Sequence, residues 1–178
     1  MQVIINEYHY HIKESIHMIR VLFVCLGNIC RSPMAEAIFR HDVQEAGLAD
    51  RIQVDSAGTG DWHIGNPPHQ GTREILSSNQ ISYEGIKARQ VDRADFTNFD
   101  YIIAMDMQNL HDLEKIREKA ESSKEKKPYI GRLMDFASQH ENSDVPDPYY
   151  TGNFAEVYEM VKDGCRGLLN HIQNHEEL

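Results

Sequence analysis

Basic side chains are scarce in this chain: 18 Lys and Arg stand against 28 Asp and Glu, a formal net charge of −10 at pH 7. Such a surplus repels polyanions, so nucleic acid and anionic membrane are excluded as expected partners, although locally positive potential can still hold a phosphate. Long hydrophobic runs are missing too. No stretch approaches the ~20 apolar residues of a membrane span, and the amino end lacks the apolar core of a secretory signal. Cysteine occurs only at Cys25, Cys30 and Cys165. These three cannot make an even disulfide framework and suit a reducing compartment, so the expected location is the cytoplasm. The histidines show no metal-ligand spacing, and no metal or cofactor is expected. What the chain does have is 178 residues at 40% hydrophobic content, a comfortable size for one domain with a sizeable core.

The most informative segment runs from Val21 to Pro33, Val-Leu-Phe-Val-Cys-Leu-Gly-Asn-Ile-Cys-Arg-Ser-Pro. Arg20 to Val24 reads as a strand buried on both faces, which places Cys25 at its carboxyl end, where open α/β sheets form their ligand crevices. Gly27 and Asn28 tolerate left-handed backbone angles, so the chain from Cys25 to Arg31 can curl until successive N–H groups point at one centre. Ser32 suits an N-cap and Pro33 the first position of the helix that follows, whose amino end adds positive potential to the same cradle.

A dianion fits that cradle, and so does an ionised sulfur. Converging amides, the helix terminus and Arg31 all favour the Cys25 thiolate, the nucleophilic form. Arg31 presents a planar fork of donors for two phosphoryl oxygens. Leu26, Gly27, Asn28, Ile29, Cys30, Arg31 and Ser32 are therefore the expected phosphate-binding residues, and the Ser32 hydroxyl is close enough to stabilise sulfur as a leaving group.

Cys25 to Ala37, with Asp55-Ser56-Ala57-Gly58-Thr59, Trp62, Lys87-Ala88-Arg89-Gln90, Asp100 to Asp106 and Asp147-Pro148-Tyr149-Tyr150 following in order, resembles the low-molecular-weight protein tyrosine phosphatases over roughly residues 19 to 175. The resemblance implies in-line attack by Cys25, a cysteinyl-phosphate intermediate, and Asp147 as the acid that protonates the leaving oxygen and then activates water. Pro146 and Pro148 stiffen the backbone around Asp147; Asp144 lies close by without matching the pattern. Tyr149, Tyr150 and Trp62 are the expected walls for an aryl ring. The implied partner is a phosphotyrosine protein or peptide, with inorganic phosphate as product. Asn28 is expected to shape the loop, Ser56 and Arg89 to brace it or merely to pack, and Asp106 to pin an amide or cap a helix near Met107. Cys30 is either a resolving thiol that forms a reversible disulfide with Cys25 or a small loop filler.

Two departures stand out. Ile86 occupies the place where many members carry a histidine that bonds the loop asparagine, and His69-Gln70 replaces an Asp-Pro that often opens the second helix. Rival readings are a protein-arginine phosphatase, whose loop typically has threonine where this chain has Ile29; an arsenate reductase, which needs more cysteines than Cys165 supplies; and a non-enzymatic phosphate-binding or redox module, which would leave Asp147 idle.

Alternating patterns predict an α/β fold with three layers, a four-stranded parallel sheet covered by helices on both faces and the phosphate loop at the carboxyl end of its first strand. Strands are expected near Arg20–Val24, Arg51–Ser56, Tyr101–Ala104 and Tyr129–Gly131. Helices are expected over Pro33–Ala46, Gln70–Ser78, Leu110–Arg117 and Phe154–Asn174, with a helical turn near Arg93–Asp95. Lys119 to Lys127 reads as a solvated connection. Residues 1–18 form an extension or, preferably, a leader before a natural start at Met18, with residues 19–178 as a single phosphatase-like domain.

Overall fold

Residue alternation along the first strand organises the molecule. In the computed structural model, which describes residues 17–118, 127–140 and 143–178, β1 spans Ile19–Cys25. Ile19, Val21, Phe23 and Cys25 fall in one apolar cluster, and Leu22 and Val24 in a second. A strand apolar at every position except Arg20 must be covered on both sides. Helices α1 (Arg31–Glu45) and α6 (Phe154–His175) cover the first face. The second is closed by α3 (Asp95–Asn98) and α4 (Met107–Glu118), through Phe96 and Leu113.

The sheet is parallel throughout in the order β2-β1-β3-β4, with β2 at Ile52–Gly58, β3 at Tyr101–Ala104 and β4 at Tyr129–Arg132. From β1 the chain crosses to β2 on one side and later returns to place β3 on the other. The order thus reverses between β1 and β3, and ligands bind outside the carboxyl ends of strands at such a reversal. Cys25 closes β1 there, and Asp106 follows β3 by two residues.

Phe23 and Phe39 meet edge to face at 5.4 Å, both fully buried; each such side chain contributes about 1.5–3 kcal/mol relative to exposure. On α6, Gly164 and Gly167 pass against a short 3-10 turn, Leu133–Phe136. A Cβ at Gly167 would sit 1.8 Å from the Phe136 carbonyl oxygen, so glycine is kept in mid-helix for contact.

The expected elements are present with shifted ends. Helix α1 begins at Arg31 with Cys30 as its cap residue, so Ser32 is not the N-cap and Pro33 is not the first helical residue. Proline is tolerated there because a first-turn N–H has no intrahelical acceptor. The helical turn expected near Arg93 forms at Asp95–Asn98, α4 starts three residues before Leu110, and β2 runs two residues beyond Ser56. Helix α2 occupies Gln70–Ser78 as expected, and its N-cap is His69, whose Nδ1 accepts from the Gly71 N–H at 3.1 Å; histidine thereby replaces the missing Asp-Pro. A short α5, Pro148–Thr151, was not foreseen. The connection expected over 119–127, apart from Lys127, and the segment 1–18, apart from His17 and Met18, lie outside the described residues.

Candidate active site

The loop between β1 and α1 curls because its carbonyls are drawn outward. Cys25, Leu26 and Ile29 accept through their carbonyls from the N–H groups of Thr59, Gly60 and His69 at 2.9, 2.9 and 2.7 Å. The Cys30 carbonyl accepts from Met34 N–H and from the Thr72 hydroxyl. In a trans peptide the following N–H points the opposite way, so the amides of Leu26, Gly27, Cys30 and Arg31 face inward. Asn28 takes φ +54°, as expected for it. Gly27 does not adopt a positive φ; its lack of a side chain instead admits the His63 ring, 3.1 Å from where a Cβ would stand.

Above the loop lies a cavity of about 340 Å³. Cys25, Leu26, Gly27, Ile29, Cys30 and Arg31 form its floor, and Trp62, His63, Asp147, Tyr149 and Tyr150 its rim. The expected site residues are therefore brought together from three separate parts of the chain. Asn28 and Ser32, 1% and 0% exposed, place their side chains beneath the floor. Trp62, at 68% exposed, is no core residue, and Tyr149 and Tyr150 are exposed as well, stacked edge to face at 5.3 Å.

The Cys25 sulfur meets two partners, the Asn28 N–H at 3.3 Å and the Ser32 hydroxyl at 3.0 Å. Asn28 then knits the underside. Its Nδ2 donates to Ser32 Oγ and Ser56 Oγ, both at 2.9 Å, and its Oδ1 accepts from the Arg89 N–H at 2.9 Å. Ser56 and Arg89 do brace the loop, and Ile86 needs no replacement as a polar partner because these two supply it. The Arg89 guanidinium is held in turn by Asp55 and Asp95.

Arg31 is 3% exposed and held by acids at both ends. Its Nη1 donates to Asp106 Oδ2 at 2.5 Å and to the Val145 carbonyl at 3.1 Å, and its Nη2 donates to Asp147 Oδ2 at 2.8 Å. Burial opposes its charge, but Cys25, Asp106 and Asp147 outweigh burial and push its pKa further up. Among the described residues its buried Nε has no acceptor. Asp147 caps α5 through Oδ1, which accepts from the Tyr149 N–H at 3.1 Å. Burial and the neighbouring Cys25 push the Cys30 thiol up to about 12.

The family model described as low molecular weight phosphotyrosine protein phosphatase matches residues 20–178. The chain belongs to this family. It is 54% identical over 161 residues to the low molecular weight protein-tyrosine-phosphatase YfkJ of Bacillus subtilis, covering 90% of this chain and all of that protein. The crystal structure of YfkJ superimposes with a TM-score of 0.83 over 89% of this chain and 97% of that one. The PtpA phosphatase of Staphylococcus epidermidis is 48% identical over 87% of this chain and 94% of its own length. A drosophila arginine phosphatase, DARP, also shares the fold, with a TM-score of 0.78, 35% identity, and coverage of 86% of this chain and 97% of that one.

Sequence reasoning missed three residues of this phosphatase site. Asp106 was expected to pin an amide or cap a helix near Met107, and its Oδ1 accepts from the Asn109 N–H in the first turn of α4 at 2.7 Å; the clamp of its other oxygen on Arg31 is legible only once β3 lies beside β1. His63 joins the rim beside Trp62, with nothing in its sequence context to single it out. Glu36, 7% exposed on α1, accepts from Ser56 Oγ at 2.6 Å, and a charged residue in the middle of an apolar helix face was the signal available for it. Asp144 is engaged elsewhere, with Arg132 and the Met107 N–H.

Proposed function

We propose that Cys25 is the nucleophile with which this low-molecular-weight protein tyrosine phosphatase hydrolyses phosphotyrosine in proteins or peptides. The observation that carries the reading is the convergence of Cys25, Arg31 and Asp147 on one cavity. The Cys25 thiolate attacks phosphorus in line with the leaving oxygen; the sulfur–phosphorus bond forms as the phosphorus–oxygen ester bond breaks, and the phenolic oxygen takes the proton of the Asp147 carboxyl. The inward amides and Arg31 hold the equatorial oxygens as charge spreads over them. Asp147, now ionised, takes a proton from water, whose oxygen displaces the sulfur and releases inorganic phosphate with the thiolate restored.

Trp62, Tyr149 and Tyr150 would flank the ring of an aryl ester and keep the thiolate beyond the reach of a shorter phosphoserine. No metal or other cofactor enters these steps. The family match, beginning at residue 20, supports reading residues 19–178 as the catalytic domain. Among the described residues no helix is long and apolar enough to cross a membrane, and the cytoplasm is the location proposed.

Likeness to an arginine phosphatase keeps phosphoarginine as the second reading. Ile29, on the cavity floor, is the position that favours tyrosine phosphate. Steady-state hydrolysis of phosphotyrosine, phosphoserine and phosphoarginine peptides by the wild type and Cys25→Ser decides between them. Turnover of phosphotyrosine alone, abolished in the variant, is the expected result; preferred turnover of phosphoarginine would reverse the assignment, and an active Cys25→Ser would remove the mechanism.

A further inference from the structure

Beneath the loop a carboxyl group that the reaction does not use is joined to the sulfur that it does. Glu36 Oε2 accepts from Ser56 Oγ at 2.6 Å, and Ser56 Oγ accepts from Asn28 Nδ2 at 2.9 Å. The second hydrogen of that amide goes to Ser32 Oγ at 2.9 Å, and Ser32 Oγ lies 3.0 Å from the Cys25 sulfur. Each of these five side chains is 7% exposed or less.

Donor and acceptor counting makes the chain directional. Ser56 has one hydrogen, and Glu36 takes it. Ser56 can therefore only accept from Asn28, whose amide is locked the same way round by the Arg89 N–H on its oxygen. Ser32 in turn accepts from Asn28 and keeps its own hydrogen for Cys25 or for the Ala57 carbonyl at 3.3 Å. We propose that Glu36 is a positioning residue for the nucleophile, acting through Ser56, Asn28 and Ser32 to aim hydroxyl and amide donors at the Cys25 sulfur. The assignment rests on the reading of Cys25 as nucleophile.

Glu36 also brings a charge that can be switched. Burial pushes its pKa from 4.5 up to about 7, against the Ser56 hydrogen bond and Arg40. Facing it are Arg40 of its own helix, with Nη2 3.8 Å from Oε1, Asp55 of β2, which raises it further, and Arg89 ahead of α3, which lowers it. A neutral carboxyl still accepts through its carbonyl oxygen, so protonation keeps the chain joined and removes the charge. Once ionised, Glu36 places a negative charge behind the thiolate and its anionic ligands. Their reaction is therefore disfavoured as pH rises through the Glu36 transition.

The test is the rate at which iodoacetate, an anion throughout the range used, alkylates Cys25 between about pH 5.5 and 8.5. It is followed by mass spectrometry of the Cys25 peptide in wild type, Glu36→Gln and Glu36→Ala. Glutamine keeps an acceptor for Ser56 and cannot ionise. The wild-type rate divided by the Glu36→Gln rate is expected to fall about two- to tenfold across pH 7, and Glu36→Ala is expected to react more slowly than Glu36→Gln at every pH by a similar factor. A flat ratio, or equal rates in the two variants, overturns the proposal. If Cys25→Ser retained phosphatase activity, the nucleophile assignment would fail by itself, since the alkylation profiles are read without substrate.

Discussion

Arg31 and Asp147 are bonded to each other, Nη2 to Oδ2 at 2.8 Å, although one is proposed to hold the phosphoryl group and the other to protonate its leaving oxygen. A dianion entering the loop competes with Asp147 for that edge of the guanidinium. That contact must loosen for Asp147 to act on the leaving oxygen in the first step. Asp106 keeps the opposite end of Arg31 in place through the exchange.

Arg31→Lys is expected to lower kcat/KM by about a hundredfold or more, because a point charge cannot reproduce the fork that fits two oxygens. Steady-state kinetics on an aryl phosphate measure it. A loss under tenfold would mean that the guanidinium geometry is not used.

Asp147→Ala should slow hydrolysis of esters with poor leaving groups by about 10²–10⁴, with a much smaller effect on activated aryl esters that leave without a proton. A series of substituted aryl phosphates gives the dependence on leaving-group pKa. An equal loss across the series would argue that Asp147 acts only by holding Arg31.

Stability should carry the signature of Glu36. With its pKa at about 7 in the fold against 4.5 unfolded, the native state keeps a proton that the unfolded chain has released. The stabilisation is complete below the lower value and declines as pH rises through that window, by at most about 3 kcal/mol. Urea unfolding of wild type and Glu36→Gln is expected to show the wild type losing stability relative to the variant between these two pH values. A parallel dependence would mean that Glu36 ionises normally in the fold.

Gly167→Ala tests the packing of α6. Alanine is the better helix former, yet its Cβ would stand 1.8 Å from the Phe136 carbonyl oxygen, so a net destabilisation of about 1–3 kcal/mol is expected. Thermal or urea unfolding reads it, and a stabilised variant would contradict the contact.

Mild peroxide should produce a Cys25–Cys30 crosslink that forms slowly at neutral pH and faster as pH rises. The attacking Cys30 thiol is pushed up to about 12 and is scarcely ionised at pH 7. Peptide mass spectrometry distinguishes this from irreversible sulfinic acid at Cys25, which would leave Cys30 a loop filler.

Much of this molecule is legible locally. β1, the curled loop and the start of α1 are contiguous, so their alternation, turn residues and helix formers report on one another over a few residues, and Cys25, Arg31 and the inward amides follow from that short stretch. Ends of elements were less readable. Ser32 has every property of an N-cap, yet it sits inside α1 because the Cys25 sulfur and the Asn28 amide offer its hydroxyl better use than a free helix end.

What lies far apart along the chain was decided by topology. Asp106 and Asp147 reach Arg31 across 75 and 116 residues, and Ser56 reaches Glu36 across 20, because the reversal between β1 and β3 and the pairing of β1 with β2 carry them to one sheet edge. Local propensity ends within a turn or two. Which acid meets which base beyond that is settled by burial, where a charged or polar atom removed from water must find a partner, and the fold supplies it.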